Sequence, residues 1–93
     1  MIPAFPLNLI SLAKSGAGEV HAIPQTAFSV QALSEPQPLV LEDNVWLLVL
    51  EGELIIDLPH GDFRTLQKGD GLLLEAPLEA TLTPLVETVI LQR

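Results

Sequence analysis

Proline and glycine interrupt this chain so often that the apolar residues between them fall in runs suited to strands and too short for long helices. The breaks fall at Pro3, Pro6, Gly16-Ala17-Gly18, Pro24, Pro36-Gln37-Pro38, Gly52, Pro59-His60-Gly61, Gly69-Asp70-Gly71, Pro77 and Pro84. Proline removes a backbone donor and glycine admits left-handed conformations, so each break ends one element and starts the next. Turn signals about 8–12 residues apart mark an all-β sandwich or small barrel. The longest uninterrupted apolar run is Val45–Leu50. That is far short of the ~20 residues of a membrane-spanning helix.

Strand patterns can be read along most of the chain. Ala27–Leu33 alternates, with Phe28, Val30 and Ala32 on one face and Ser29 and Gln31 on the other. Leu39–Leu41 is a short strand between the turns Ser34–Pro38 and Glu42-Asp43-Asn44. Val45–Glu51 is apolar on both faces, and Leu54–Leu58 continues past Gly52-Glu53. The segment Leu58–Asp62 reads as a hairpin turn, Pro59 presetting one corner and Gly61 taking the left-handed position. Phe63–Leu66, Leu72–Glu75, Ala80–Thr83 and Glu87–Leu91 complete about eight strands. Residues 1–20 are expected to form an N-terminal arm or edge strand, on the alternation of Phe5, Leu7 and Leu9, in preference to a helix at Leu9–Lys14. Residues 21–93 form the barrel.

A chain of 93 residues has room for one domain. A domain this short buries only about 60–65% of its extended-chain surface, so its core must be dense in apolar residues. The 48% hydrophobic content supplies it. Twelve acidic residues against four basic ones give a net charge of −8. The cations, Lys14, Arg64, Lys68 and Arg93, are scattered, so no basic face is available for nucleic acid or anionic lipid. Cysteine is absent, which excludes a disulfide scaffold, a thiolate nucleophile and a thiolate-bound metal. No basic segment followed by a long apolar one precedes Lys14, so no secretory signal is read. The expectation is a soluble, cytoplasmic chain with neither nucleic acid nor membrane as partner.

The stretch VWLLVLEGELIIDLPHGDFRTLQKGDGLLLEAP resembles the small single-domain cupins. The likeness rests on the apolar strand ending in Leu50-Glu51-Gly52-Glu53, the hairpin after it, and Leu66-Gln67-Lys68-Gly69-Asp70-Gly71 before another apolar strand. Thr88–Leu91 fits the closing strand. The resemblance implies an all-β, double-stranded β-helix or jelly-roll barrel in one domain. It also implies where a metal would bind, and there the sequence departs from the family. Counting from Gly52 puts the glutamate of the first motif at Val45. Its two histidines then fall at Pro38 and Val40, or at Leu39 and Leu41. Counting from Gly69 puts the proline of the second motif at Glu75 and its histidine at Ala80. None of the ligand positions keeps an imidazole or a carboxylate, so no metal and no cofactor are expected. A catalytic divalent metal takes about three such ligands, and the two histidines, His21 and His60, lie far apart in the chain.

Individual candidates divide into structural and functional ones. His21 in a proline-bordered loop and His60 in a turn are read as structural, not as a base or a pH switch. Glu42-Asp43-Asn44 is read as a solvated turn, and Glu51, Glu53, Gly69 and Asp70 as parts of the fold. Glu75, and more weakly Glu79, are the carboxylates that would become an acid or base if they faced the interior. Val45, Leu47, Glu75, Ala80 and Leu82 are the candidate lining of an interior pocket. With Val45, Leu47 and Val49 inward, Trp46, Leu48 and Leu50 point out, and such a row calls for a cover. A homodimer is expected to supply it; the alternative is that residues 5–12 fold over it. No catalytic residue is assigned. The function expected first is a metal-free, non-enzymatic barrel that binds a small apolar ligand or acts as a dimeric sensor or accessory module. A structural or protein-interaction domain with a filled barrel is the alternative, favoured by a closed interior. A metal-free acid–base enzyme of epimerase type, using Glu75 or Glu79, is the third.

Overall fold

The structure is a computed structural model and describes residues 6–16 and 18–93. Its elements are helix α1 (Leu9–Lys14) and strands β1 (Val20–Ala22), β2 (Ser29–Leu33), β3 (Gln37–Leu41), β4 (Val45–Glu51), β5 (Glu53–Asp57), β6 (Phe63–Gln67), β7 (Gly71–Leu74), β8 (Leu78–Pro84) and β9 (Thr88–Gln92). A 3-10 turn, Pro59–Gly61, joins β5 to β6. The strands form two antiparallel sheets, one in the order β1-β2-β9-β4-β7 and one in the order β3-β8-β5-β6. Successive strands from β2 onward change sheet at nearly every connection, so two faces close over one core as a jelly roll.

Alternation along the strands fills that core. Leu33, Leu41, Leu47, Val49, Leu54, Ile56, Leu66, Leu74, Leu82 and Ile90 form one buried cluster, so every strand from β2 to β9 contributes to it. Burying each such side chain is worth about 1.5–3 kcal/mol. The turns are set by the residues expected to set them: Gly61 at φ 75° and Gly69 at φ 91° are left-handed. Around Gly69, the Asp70 carboxylate accepts from the Gln67 N–H at 2.8 Å, and the Gly69 N–H donates to the Val49 carbonyl at 2.8 Å. His60 shares the left-handed region at φ 66°.

Three expectations are corrected here. Leu9–Lys14 is helical, not part of an edge strand. Asn8 caps the helix, its side-chain oxygen accepting from the Ser11 N–H at 3.0 Å. Leu9, Ile10, Leu12 and Ala13 give it an apolar side, which packs on Val30, Ala32 and Val89. Leu7 is exposed, and Phe5, the first member of the expected alternation, lies outside the described residues. Next, Gln37 and Pro38 belong to β3 and not to the turn before it. Because β3 is an edge strand, Pro38 costs no ladder bond on its free side. Finally, β2 is buried on both faces. Val30 and Ala32 meet α1, while Leu33 enters the barrel core and Gln31 is only 3% exposed.

Candidate functional site

Two of the positions where the resemblance puts metal ligands are direct neighbours, and a third lies on the facing sheet. Leu39 pairs with Ala80 across β3 and β8, and Val45 pairs with Leu74 across β4 and β7. Leu39, Val45 and Ala80 all pack against the main core, and Leu41 is part of it. Of the two spacings the sequence allowed, the structure turns Leu39 and Leu41 inward, and leaves Val40 69% exposed on the outside. What meets there is a set of aliphatic side chains, and hydrocarbon offers a metal no donor. The residues therefore do not fit the group that the fold commonly holds. No cluster of three or more His, Asp or Glu side chains suited to a metal occurs among the described residues.

The other candidates for an interior pocket separate in the same way. Leu47 and Leu82 are 0% and 1% exposed, so their side chains belong to the core and not to an interior pocket. Ala80 is half-buried and borders a cleft of about 460 Å³ with Leu39, Val40, Asp57, Pro59, Glu79 and Thr81. Glu79 is exposed at this cleft. Glu75, an acid or base only if it faced the interior, is exposed past the end of β7, because the chain leaves the sheet there toward Pro77. It borders none of the clefts described here. His21 lies on β1, its Nε2 3.3 Å from the Gly16 carbonyl, and His60 is exposed in its turn. Asn44 ties two loops together by accepting from the Ala76 N–H at 2.8 Å.

One polar pair escaped the sequence reading. Gln31 donates from Nε2 to the Gly18 carbonyl at 2.9 Å and to Gln37 Oε1 at 2.8 Å. It links β2 of one sheet to β3 of the other, beside a cleft of about 330 Å³ formed by Gly18, Ala32–Pro38. In the sequence Gln31 alternates like any solvent-facing residue, so nothing there distinguished it.

The outer face of the five-stranded sheet holds the remaining feature. Helix α1 covers its β2–β9 side, and Ala13, Val30, Ala32 and Val89 form a second buried cluster against which Leu50 and Leu91 pack. Leu50, expected beside Trp46 and Leu48 at an interface, is therefore half-buried within its own chain. Lys14 holds the helix down, its ammonium 3.2 Å from Glu51 and 3.3 Å from Glu87. These two carboxylates, Glu51 first, accept from Lys14 and raise its pKa above the ordinary value. At the far hairpin, the Arg64 guanidinium, 2.7 Å from Asp62, lowers that carboxyl below its ordinary value, helped by the Phe63 N–H. Beyond the reach of α1, Trp46 is 57% exposed. A groove of about 250 Å³ runs beside it, lined by Phe28, Leu48, Gly71 and Leu91. Arg93 lies over the Phe28 ring, 5.6 Å from its centre.

A scan against protein-family models and a search of the curated proteins both found no match. Solved structures do match. A cupin-2 domain containing protein from Shewanella frigidimarina superposes with a TM-score of 0.78 at 16% identity, over 92% of this chain and 90% of that one. A cupin superfamily protein from Desulfitobacterium hafniense gives 0.76 at 20% identity, over 99% and 91%. A protein from Neisseria meningitidis gives 0.77 at 14% identity, over 95% and 97%. Identities this low carry the fold alone, and the likeness spans nearly the whole of each chain: this protein has the cupin fold.

Proposed function

We propose that this chain is a non-catalytic protein-interaction or accessory module built on a cupin barrel that binds no metal. One observation carries the reading: the ligand positions of the fold are occupied by Leu39, Val45 and Ala80, half-buried aliphatic side chains that pack against the core and offer a metal no donor. A barrel without donors there has no means of activating a bound water or oxygen. The small-ligand reading loses Leu47 and Leu82, whose side chains lie in the closed core, and keeps only the cleft beside Leu39 and Ala80. The acid–base reading is not favoured, since Glu75 is exposed and Glu79 faces water on the outside of the second sheet. No helix among the described residues is long and apolar enough to cross a membrane. A chain with no cysteine has no disulfide to form, which fits a cytoplasmic setting.

Native mass spectrometry of the full chain, purified without a metal-affinity step, tests this. Subunits at the bare polypeptide mass are expected, 10.0 kDa each. A stoichiometric metal would overturn the reading and make His21, His60 and the neighbouring carboxylates a centre to examine. A retained small molecule would overturn it in favour of a ligand-binding barrel.

A further inference from the structure

We propose that the notch left where β5 departs from the second sheet takes an arginine side chain presented by a partner protein, its stem against Leu39 and Ala80 and its guanidinium between Asp57 and Glu79. This gives the interaction module a partner chemistry and rests on that reading.

The notch comes from unequal strand lengths. Strand β5 pairs with β8 as far as Asp57 opposite Thr81, and the chain then turns away through Leu58 and Pro59. The first residues of β8, Leu78–Ala80, keep β3 as their partner and have no ladder partner on the β5 side. The gap is the cleft of about 460 Å³. Its apolar lining includes Leu39 and Ala80, half-buried side chains that pack against the core. Its polar lining is Asp57 and Glu79, both exposed, with Thr81 across the ladder from the first and two residues along from the second. Among the described residues, none of these three side chains has an ion-pair or hydrogen-bond partner. Ionised carboxylates accept and never donate, so the occupant must be a donor. An apolar wall ending in two carboxylates matches a long cationic side chain, which lays its stem on hydrocarbon and keeps its charged head at the rim. Arginine suits it better than lysine, because a planar fork of donors reaches acceptors on two strands at once.

Charge complementarity extends past the cleft. The outward positions of β5 and β8 carry Glu53, Asp57 and Glu79, and no outward strand position of this four-stranded face carries a lysine or arginine. Three of the chain's four cations are engaged elsewhere: Lys14 with Glu51 and Glu87, Arg64 with Asp62, and Arg93 over Phe28. Val40 lines the cleft and is 69% exposed, and Phe63, opposite Asp57, is 58% exposed. Both offer apolar contact to the residues on either side of the arginine. Those contacts favour an arginine carried on a protein over a free cation, because a cleft this open encloses too little of a small molecule.

The test is a titration of the full chain, followed by its backbone amide NMR shifts, with the end-blocked peptide leucyl-arginyl-leucine. Saturating shifts at Val40, Asp57, Glu79 and Thr81 are expected, with a dissociation constant of about 1 mM. Asp57→Asn and Glu79→Gln are each expected to raise that constant about 3- to 5-fold. Glu35→Gln removes the same charge from the exposed turn between β2 and β3 and is expected to leave it unchanged. The same peptide with citrulline, the uncharged isostere of arginine, is expected not to saturate. Absence of shifts at these amides would overturn the proposal, as would a citrulline peptide that binds equally well. Equal weakening by all three substitutions would reduce the effect to attraction by net charge and overturn the site. Arginine amide binding as tightly as the peptide would overturn the protein source and make the cleft a small-molecule site. None of these readouts involves a metal, so failure here is distinct from failure of the metal-free reading, which mass decides.

Discussion

Gly52 and Gly61 show how differently one residue type can matter. Both are left-handed, at φ 95° and φ 75°. A Cβ on Gly61 would meet nothing within 4 Å, whereas on Gly52 it would lie 2.6 Å from Thr88 Oγ1 and 2.7 Å from the Glu87 carbonyl oxygen. Thr88 is itself fully buried, its hydroxyl 2.9 Å from the Glu53 carbonyl and 2.8 Å from that of Val86, so it has little room to retreat. Gly61→Ala is therefore expected to lose about 1 kcal/mol, from backbone strain. Gly52→Ala is expected to lose about 3 kcal/mol, from strain and overpacking together. Urea denaturation of the two variants checks this, and equal losses would show that the contact at Thr88 yields. The glycine at position 52 was legible as part of the family pattern. The buried amide of Gln31 was not, because alternation gives the face of a side chain and not what stands opposite it.

Among the elements, α1 is the one whose existence depends on its surroundings. Six residues are too few for a helix to persist alone in water. Its stability comes from the outer sheet face beneath it and from Lys14 between Glu51 and Glu87. All three side chains are 41–54% exposed, so the ion pairs are weak ones. Their pH dependence has a definite sign. The folded pKa of Lys14 lies above its ordinary 10.5, so what the pair contributes is complete below that pH and disappears as the pH rises through the folded value. Lys14→Met is expected to melt slightly below the wild type at neutral pH, with the gap closing above about pH 10.5. Thermal melts across that range measure it, and a gap that persists in strong alkali would mean the lysine acts through packing of its stem. The strands were legible because their apolar runs sit between proline and glycine. The helix was missed because its signal is shorter than the arm it sits in.

For the molecule as a whole, charge and apolar surface act in opposite directions. The −8 charge repels itself across the surface, while the buried apolar core holds the chain together. Raising the salt from about 10 mM to about 150 mM shortens the screening length from about 30 Å to about 8 Å. The melting temperature is therefore expected to rise with salt, read by thermal melts at the two ionic strengths. A fall instead would show that the ion pairs of Lys14 and Arg64 outweigh the repulsion. By itself the sequence determined that the chain would be a small antiparallel barrel, because turn residues and strand alternation are local properties. It also determined that the fold's metal positions would lack donors, because that is a matter of residue identity at counted spacings. The tertiary structure decided that those positions pack half-buried against the core, that Glu75 faces water, and that α1 lies over the β2–β9 side of the sheet and leaves Trp46 exposed. Those outcomes depend on which distant segments pack against one another, and no local pattern contains that.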